Sequence, residues 1–351
     1  TGSDAISLLR KAPGVTVDNN DNINVLGRSG VLLYVDGKRL PLTGDDLSNY
    51  LQSLPADQID RIEIISNPGA RYEAEGNAGI IDIRLKKDER QGANGNVSGT
   101  YSQGRYGRYN LNAGGNYRDK FLNAFATAGA GEGSSFNDME FENNQNGLSL
   151  NETNDMRNDW QNTNVRFGTD FFLSKQHTLG FLLGARWNDR DNTSVNRNLI
   201  STVAQPDQID SILVAQNFST DTRNQQTYNI NYRYDNGQGR SLNLDLDYGN
   251  YDNDATRLQP NRYFDAQEEQ VLTEIINSFN TPTDIDIYTI KVDYEDKLWG
   301  GNFAVGSKLS RVVSDNAFFF YDVVNDQEIR NDRSSNLFDY EENVYAGYFN
   351  Y

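Results

Sequence analysis

Few residues in this chain could do chemistry, and their spacing argues against catalysis. His177 is the sole histidine and cysteine is absent. A His/Cys zinc cage, a thiol nucleophile and a Ser/His triad therefore all lack a partner. His177 follows Ser174 between two alternating apolar runs and reads as a solvated turn residue. Acidic runs at Asp18–Asp21, Asp235–Asp247 and Asp284–Asp293 raise calcium as a ligand. None has the Asp-x-Asp-x-Asn-Gly…Glu spacing of an EF-hand loop. They read as turn formers, solubilising groups or groups facing a wet interior, and a calcium in an outer loop stays open. Gly129, Gly131 and Gly133 lack the strand–loop–helix setting of a phosphate loop and read as a flexible strand end. What remains is a set of charges, Arg61, Glu63, Arg71 and Arg84, on or beside alternating segments. They suit ion pairing with carboxylates such as Asp245, Asp247 or Asp293, or else plain solvated strand faces. The expectation is a protein that is not an enzyme, with no catalytic, cofactor-binding or metal-ligating residues and with ligand-binding residues unassigned.

These charges must be positioned by something, and the composition narrows what it is. Only 36% of the 351 residues are apolar and mean hydropathy is −0.73, yet aromatics reach 11%, with 20 Tyr and 17 Phe. Disordered chains are poor in aromatics. A polar chain rich in Tyr and Phe suits a barrel with a wet interior and an apolar outer band edged by aromatic rings. The net charge of −18 disfavours a nucleic-acid partner, which needs clustered Lys and Arg. No segment has the roughly 20 apolar residues of a spanning helix. The opening TGSDAISLLRKAPGV has no secretory h-region and reads as the interior of a longer sequence.

Two regions differ in pattern. Up to about residue 90, helix and strand signals mix. Ser3 or Asp4 starts a short helix carrying Ile6, Leu8 and Leu9, stopped at Pro13-Gly14. Short strands follow at Ile23–Val25 and Val31–Val35, the latter closed by the turn pair Asp36-Gly37. A second helix from Thr43 places Leu47, Tyr50, Leu51 and Leu54 on one face; strands then run through Ile59–Ile65 and Ile81–Leu85. From Gln91 onward the chain becomes about ten period-2 segments, near 94–103, 107–117, 121–130, 162–173, 178–190, 223–235, 240–253, 284–295, 301–313 and 341–351. Short turns alternate with long Asn/Asp-rich links at 131–161, 191–222, 254–283 and 314–340. Transmembrane barrels have this asymmetry of turns and loops. A soluble β-sandwich shares the alternation but not the asymmetry.

Residues 13–99 carry a dense motif set: VDGK at Val35–Lys38, QIDRIEII ending at Ile65, Asn67-Pro68, Tyr72, Glu75-Gly76 and GIIDI at Gly79–Ile83. This set resembles the plug of TonB-dependent outer-membrane receptors, more narrowly the Bacteroidetes-type outer-membrane β-barrel family. The resemblance implies a mainly β fold, with an α+β plug module at 1–90 followed by antiparallel transmembrane strands of an incomplete barrel at 91–351. It implies location in the outer membrane of a Gram-negative bacterium and import of a scarce extracellular ligand. The implied partners are outer-membrane lipid, TonB of the inner-membrane energising complex, a small-molecule or oligomeric nutrient, and in some forms a surface lipoprotein. The family barrel has 22 strands, and a plug of about 88 residues, roughly 30 Å across by size scaling, does not fit inside ten. The chain is thus expected to be a fragment, with ligand contacts in the long links. The rivals are a signalling receptor or barrel subunit of the same family and a secreted soluble β-protein that binds glycans.

Overall fold

The computed structural model describes residues 5–18, 23–28, 30–35, 38–39, 51, 54, 56, 59–65, 79–85 and 91–351. The chain divides into two compact units, the first comprising Thr1–Arg90 with Lys297–Gly306 and Gly347–Tyr351, the second Gln91–Asp296 with Ser307–Ala346.

In the N-terminal region, helix α1 (Ala5–Leu9) precedes β1 (Val15–Val17) and β2 (Ile23–Val25), which pair antiparallel. Strands β3 (Leu32–Val35), β4 (Lys38–Arg39), β5 (Ile59–Ile65) and β6 (Ile80–Leu85) form a four-stranded sheet in the order β4-β3-β6-β5. The central pair β3–β6 is parallel and the outer pairs are antiparallel. Period-2 alternation sends Ile81 and Ile83 into a core with Leu33, Val35, Ile6, Leu9 and Val25. Leu51 and Leu54 join that core, and Leu51 is helical, as the spacing from Thr43 predicts. The rest of that helix, the first helix's cap, Asp36-Gly37, Asn67–Gly69, Arg71 and Lys86-Lys87 lie outside the described residues.

From Gly92 the chain is almost all strand. The antiparallel strands are β7 (Gly92–Gln103), β8 (Gly107–Arg118), β9 (Leu122–Gln145), β10 (Leu148–Phe172), β11 (His177–Thr202), β12 (Gln205–Asp235) and β13 (Ser241–Asp265). Then follow β14 (Val271–Asn280), β15 (Thr283–Leu298), β16 (Gly301–Val324), β17 (Gln327–Arg330) and β18 (Asn336–Asn350). Nearest neighbours in sequence pair from β7 through β13. β14 and β15 are one crossing in a single register against β13, interrupted at Thr281-Pro282, where proline has no N–H to donate. β17 and β18 likewise share β16 as partner, so the sheet crosses ten times, and among the described residues it does not close on itself.

The links at 131–161, 191–222, 254–283 and 314–340, expected as loops, are corrected by this topology. They are continuations of the ladders: β9 and β10 stay paired up to Gln145↔Leu148, and β11 and β12 up to Thr202↔Gln205. Two of the tips are two-residue turns with both residues at positive φ, Asn146 (53°)-Gly147 (82°) and Asn325 (52°)-Asp326 (60°). That backbone matches the twist of the flanking strands. Water on both faces of these extensions removes any hydrophobic period, and Asn and Asp are weak strand formers, yet the backbone bonds carry on.

Candidate functional site

The register sorts the side chains of the large sheet into two faces. One carries the cross-strand rows Leu179–Tyr232–Leu244–Val292, Phe181–Ile230–Leu246–Ile290 and Leu183–Tyr228–Tyr248–Tyr288. Phe181, Ile230, Leu246 and Ile290 are 39–49% exposed, an apolar surface that the described residues leave uncovered. Tyrosines border this band: Tyr228, Tyr248 and Tyr288 stack at 5.8 and 5.0 Å between centroids. On β8 the band runs from Tyr109 to Tyr117, about 27 Å of strand and about 20 Å of height at a tilt of roughly 40°. The opposite face of the same strands carries Gly180–Asn231–Asp245–Lys291 and Leu182–Asn229–Asp247–Thr289. An exposed band of this height, edged by rings and backed by a polar face, is a lipid-facing wall.

The two ends of the wall differ. At one end the turns are short and tightly bonded. Asp119 Oδ1 accepts the N–H groups of Phe121 and Leu122 at 2.7 and 2.8 Å, which holds its carboxyl below the usual range. Arg240 Nε donates to Asp296 Oδ2 at 2.9 Å, tying two neighbouring turns together. His177 also lies at this end. It is the first residue of β11 rather than a solvated turn residue. Its Nδ1 is 2.6 Å from the Tyr232 hydroxyl and its ring packs 4.9 Å from Tyr234. At the other end the hairpins extend past the tyrosine row. Among the described residues no group of three or more His, Cys, Asp or Glu is placed to hold a metal.

Gly129, Gly131 and Gly133 are ladder residues of β9 on the polar face, not a flexible end. A Cβ at Gly129 would lie 2.7 Å from Asn112 Oδ1 and 2.8 Å from Asn164 Nδ2; one at Gly133 would lie 2.8 Å from Arg108 Cγ. The missing side chains let those of β8 and β10 lean across β9. Asp245 and Asp247 both accept from Asn229 Nδ2, at 3.4 and 2.7 Å, and Asp293 lies 3.3 Å from Lys291 Nζ.

The charges singled out in the N-terminal region form a cluster across β5 and β6. Arg61 and Arg84 stand opposite each other in the register, an arrangement that repels unless an anion intervenes. Glu63 intervenes: its Oε1 takes Arg61 Nε at 2.8 Å and its Oε2 takes Arg84 Nε at 3.2 Å. Arg61 also reaches Asp60, and Arg84 lies 2.7 Å from the fully buried carboxylate of Asp82. The hydrogen bond from Arg61, with that from Arg84, holds the Glu63 carboxyl below its ordinary value. Arg71 lies outside the described residues.

Sequence reasoning left unassigned a groove of about 470 Å³ on the extended hairpins, bordered by β10, β11, β12, β13 and β14. Its polar-face lining includes Arg190, Asn192, Ser219, Arg257, Gln259 and Phe279. No local pattern announces it, because each of five strands supplies only a few residues.

Two family matches bear on these features. Residues 1–80 match the TonB-dependent Receptor Plug Domain, and residues 233–351 match the Outer membrane protein beta-barrel family. The chain carries a TonB-dependent receptor plug domain followed by strands of an outer-membrane β-barrel family. Its place is therefore the outer membrane of a Gram-negative bacterium, and the wall's apolar face is the one that meets lipid. Among solved structures this receptor chain is similar to the ferric yersiniabactin uptake receptor FyuA from Yersinia pestis, at 13% identity and TM-score 0.42, covering 99% of this chain and 59% of that one. The ferric citrate transporter FecA in its unliganded form is similar at 12% identity and TM-score 0.41, covering 99% of this chain and 58% of FecA. The RagAB peptide importer in its open-open state is similar at 8% identity and TM-score 0.37, covering 91% of this chain and 63% of that one. The receptor chain thus spans about three fifths of these structures. No curated protein matches the sequence.

Proposed function

We propose that this chain supplies the plug and part of the barrel wall of a receptor that captures a scarce extracellular ligand and imports it across the outer membrane. The observation that carries the reading is the two-faced wall: apolar toward lipid, polar toward the interior, and directly preceded in sequence by a compact plug module. A polar inner face provides a path for a solute, and the plug module that precedes the wall in sequence provides a gate. TonB of the energising complex supplies the work, because the outer membrane holds no energy source of its own. In this reading Arg61, Glu63, Arg71 and Arg84 set how firmly the plug keeps its shape when it is pulled. Replacing the three arginines by alanine lowers transport or loosens the channel.

The test is uptake by cells carrying the full-length gene under nutrient limitation. Deleting the gene abolishes growth on one limiting nutrient, and inactivating TonB does the same while leaving the receptor in the membrane. Growth indifferent to both deletions on every nutrient tried would refute import. Unchanged uptake and conductance in the triple arginine variant would remove the charge cluster from the mechanism.

A further inference from the structure

The chain carries 18 more negative than positive charges, so an arginine without a carboxylate partner stands out. On the hairpins most arginines have one: Arg157 with Asp159, Arg197 with Glu268, Arg262 with Glu274 and Arg223 with Asp221. Arg190 and Arg257 do not, among the described residues, and both line the same groove. The register explains Arg190. Its cross-strand neighbour is Asp221, but that carboxylate is taken by Arg223 through two bonds, Nε to Oδ1 at 3.0 Å and an Nη to Oδ2 at 2.6 Å. Arg257 instead lies over the Phe279 ring at 5.2 Å, which leaves the edge of its guanidinium for another partner.

Between the two arginines lie Asp221, whose carboxylate Arg223 occupies, and a set of neutral donors and acceptors. Asn192, Ser219 and Arg257 occupy one cross-strand row, and Gln259 Nε2 donates to Asn217 Oδ1 at 3.4 Å in the next. Arg190 and Arg257 are two strands and two residues apart, so their Cα atoms are separated by about 12 Å from strand spacing and rise. The Arg257 guanidinium lies against Phe279 of β14, on the side of β13 away from Arg190, so the two arginines flank the groove from opposite sides. Two forks facing one groove match a small molecule with two or more oxyanion groups, since carboxylate and phosphate both accept paired N–H donors.

We propose that this groove is a recognition subsite for a small multivalent oxyanion, held between Arg190 and Arg257. The proposal rests on the import reading for its biological sense and names the charge class of the ligand. Its chemistry is testable without transport, because binding to the purified receptor needs no energising partner.

The experiment is calorimetric titration of the full-length receptor in detergent micelles with citrate, with pyrophosphate and with spermidine. Citrate or pyrophosphate binds and spermidine does not; which of the two binds tells carboxylate from phosphate. Arg190→Gln and Arg257→Gln each weaken that binding by roughly tenfold to a hundredfold, as loss of a charge-assisted bond requires. Arg311→Gln, whose arginine pairs with Glu341 outside the groove, leaves it unchanged. Heat-modifiable migration of every variant shows that the barrel has folded. The proposal is overturned if neither anion binds, or if the groove variants and Arg311→Gln bind as the parent does. Uptake that persists without TonB would instead sink the import reading and leave the subsite standing.

Discussion

Placing an arginine on each face of one strand gives the sharpest test of the two-faced wall. Leu246 is 48% exposed and sits in the row Phe181–Ile230–Leu246–Ile290, one row inside the tyrosines at 228, 248 and 288. Each row is two residues, so Leu246 lies about 5 Å below the tyrosine ring level at a tilt of roughly 40°. That depth is about halfway from the tyrosine level to the bilayer midplane, so an added arginine costs about 1–3 kcal/mol, between the values for interface and midplane. The folding equilibrium in lipid vesicles should then fall by about fivefold to a hundredfold, since every 1.4 kcal/mol is a factor of ten. Asn243, three residues away on the same strand, belongs to the polar row Arg233–Asn243–Asp293. An arginine there meets water, with Arg233 on one neighbouring strand and the Asp293 carboxylate on the other to offset it, so Asn243→Arg should stay within about 0.5 kcal/mol of the parent. Urea titration of the full-length receptor refolded into vesicles, followed by heat-modifiable migration, reads both values. Equal costs for Leu246→Arg and Asn243→Arg would refute the assignment of faces, and a larger cost at Asn243 would reverse it.

Two further outcomes follow from the local geometry. Glu63 is stabilised as the anion, so its folded-state pKa lies below its unfolded value; the stability it gives is present above the ordinary glutamate pKa of about 4.3 and is lost as pH falls through the lower folded value. Hydrogen exchange across β5 should therefore quicken on acidification in the parent more than in Glu63→Gln, and identical acid profiles would show that the cluster is not coupled to the plug's folding. Gly147→Val forces a β-branched residue to φ near 82° at the tip of the β9–β10 hairpin, at a cost of about 1–2 kcal/mol; exchange should quicken at 140–152 alone, whereas Gly104→Val, where an added Cβ meets nothing within 4 Å, should change nothing.

What the sequence discloses depends on what each face meets. Where one face meets lipid, the alternation is plain, and each of the ten alternating segments lies on a strand to within a residue at its ends. Tyr228–Tyr234 and Leu242–Tyr248 could hardly be read otherwise. Above the tyrosine row both faces meet water, so Asn250–Asp254 and its partners lose the period although the ladder continues. The glycines of β9 misled for a related reason: local composition suggests a hinge, but the side chains they admit come from Asn112 and Asn164 on the two neighbouring strands. Arg61, Glu63 and Arg84 were legible as charges on strands, while their convergence on one carboxylate needed the register of β5 against β6. Arg190 and Arg257 were illegible, since what distinguishes them is the carboxylate partner that neither has among the described residues.

That last contrast bears on how such a wall can hold specificity. In the lipid band the side chains of one face are fixed by their solvent, and the opposite face is left to polar residues such as Asn229 and Asn231, bonded to each other and to Asp247. Neighbours that satisfy one another gain little by turning to a solute. In the hairpin extensions neither face is bound to lipid, so the residues there are free to vary without unfolding the wall. On the proposed reading, specificity is set where the ladder outruns the membrane, by the few charges that their own neighbours leave unneutralised. In this chain the register of β11, β12 and β13 leaves two such arginines on one groove.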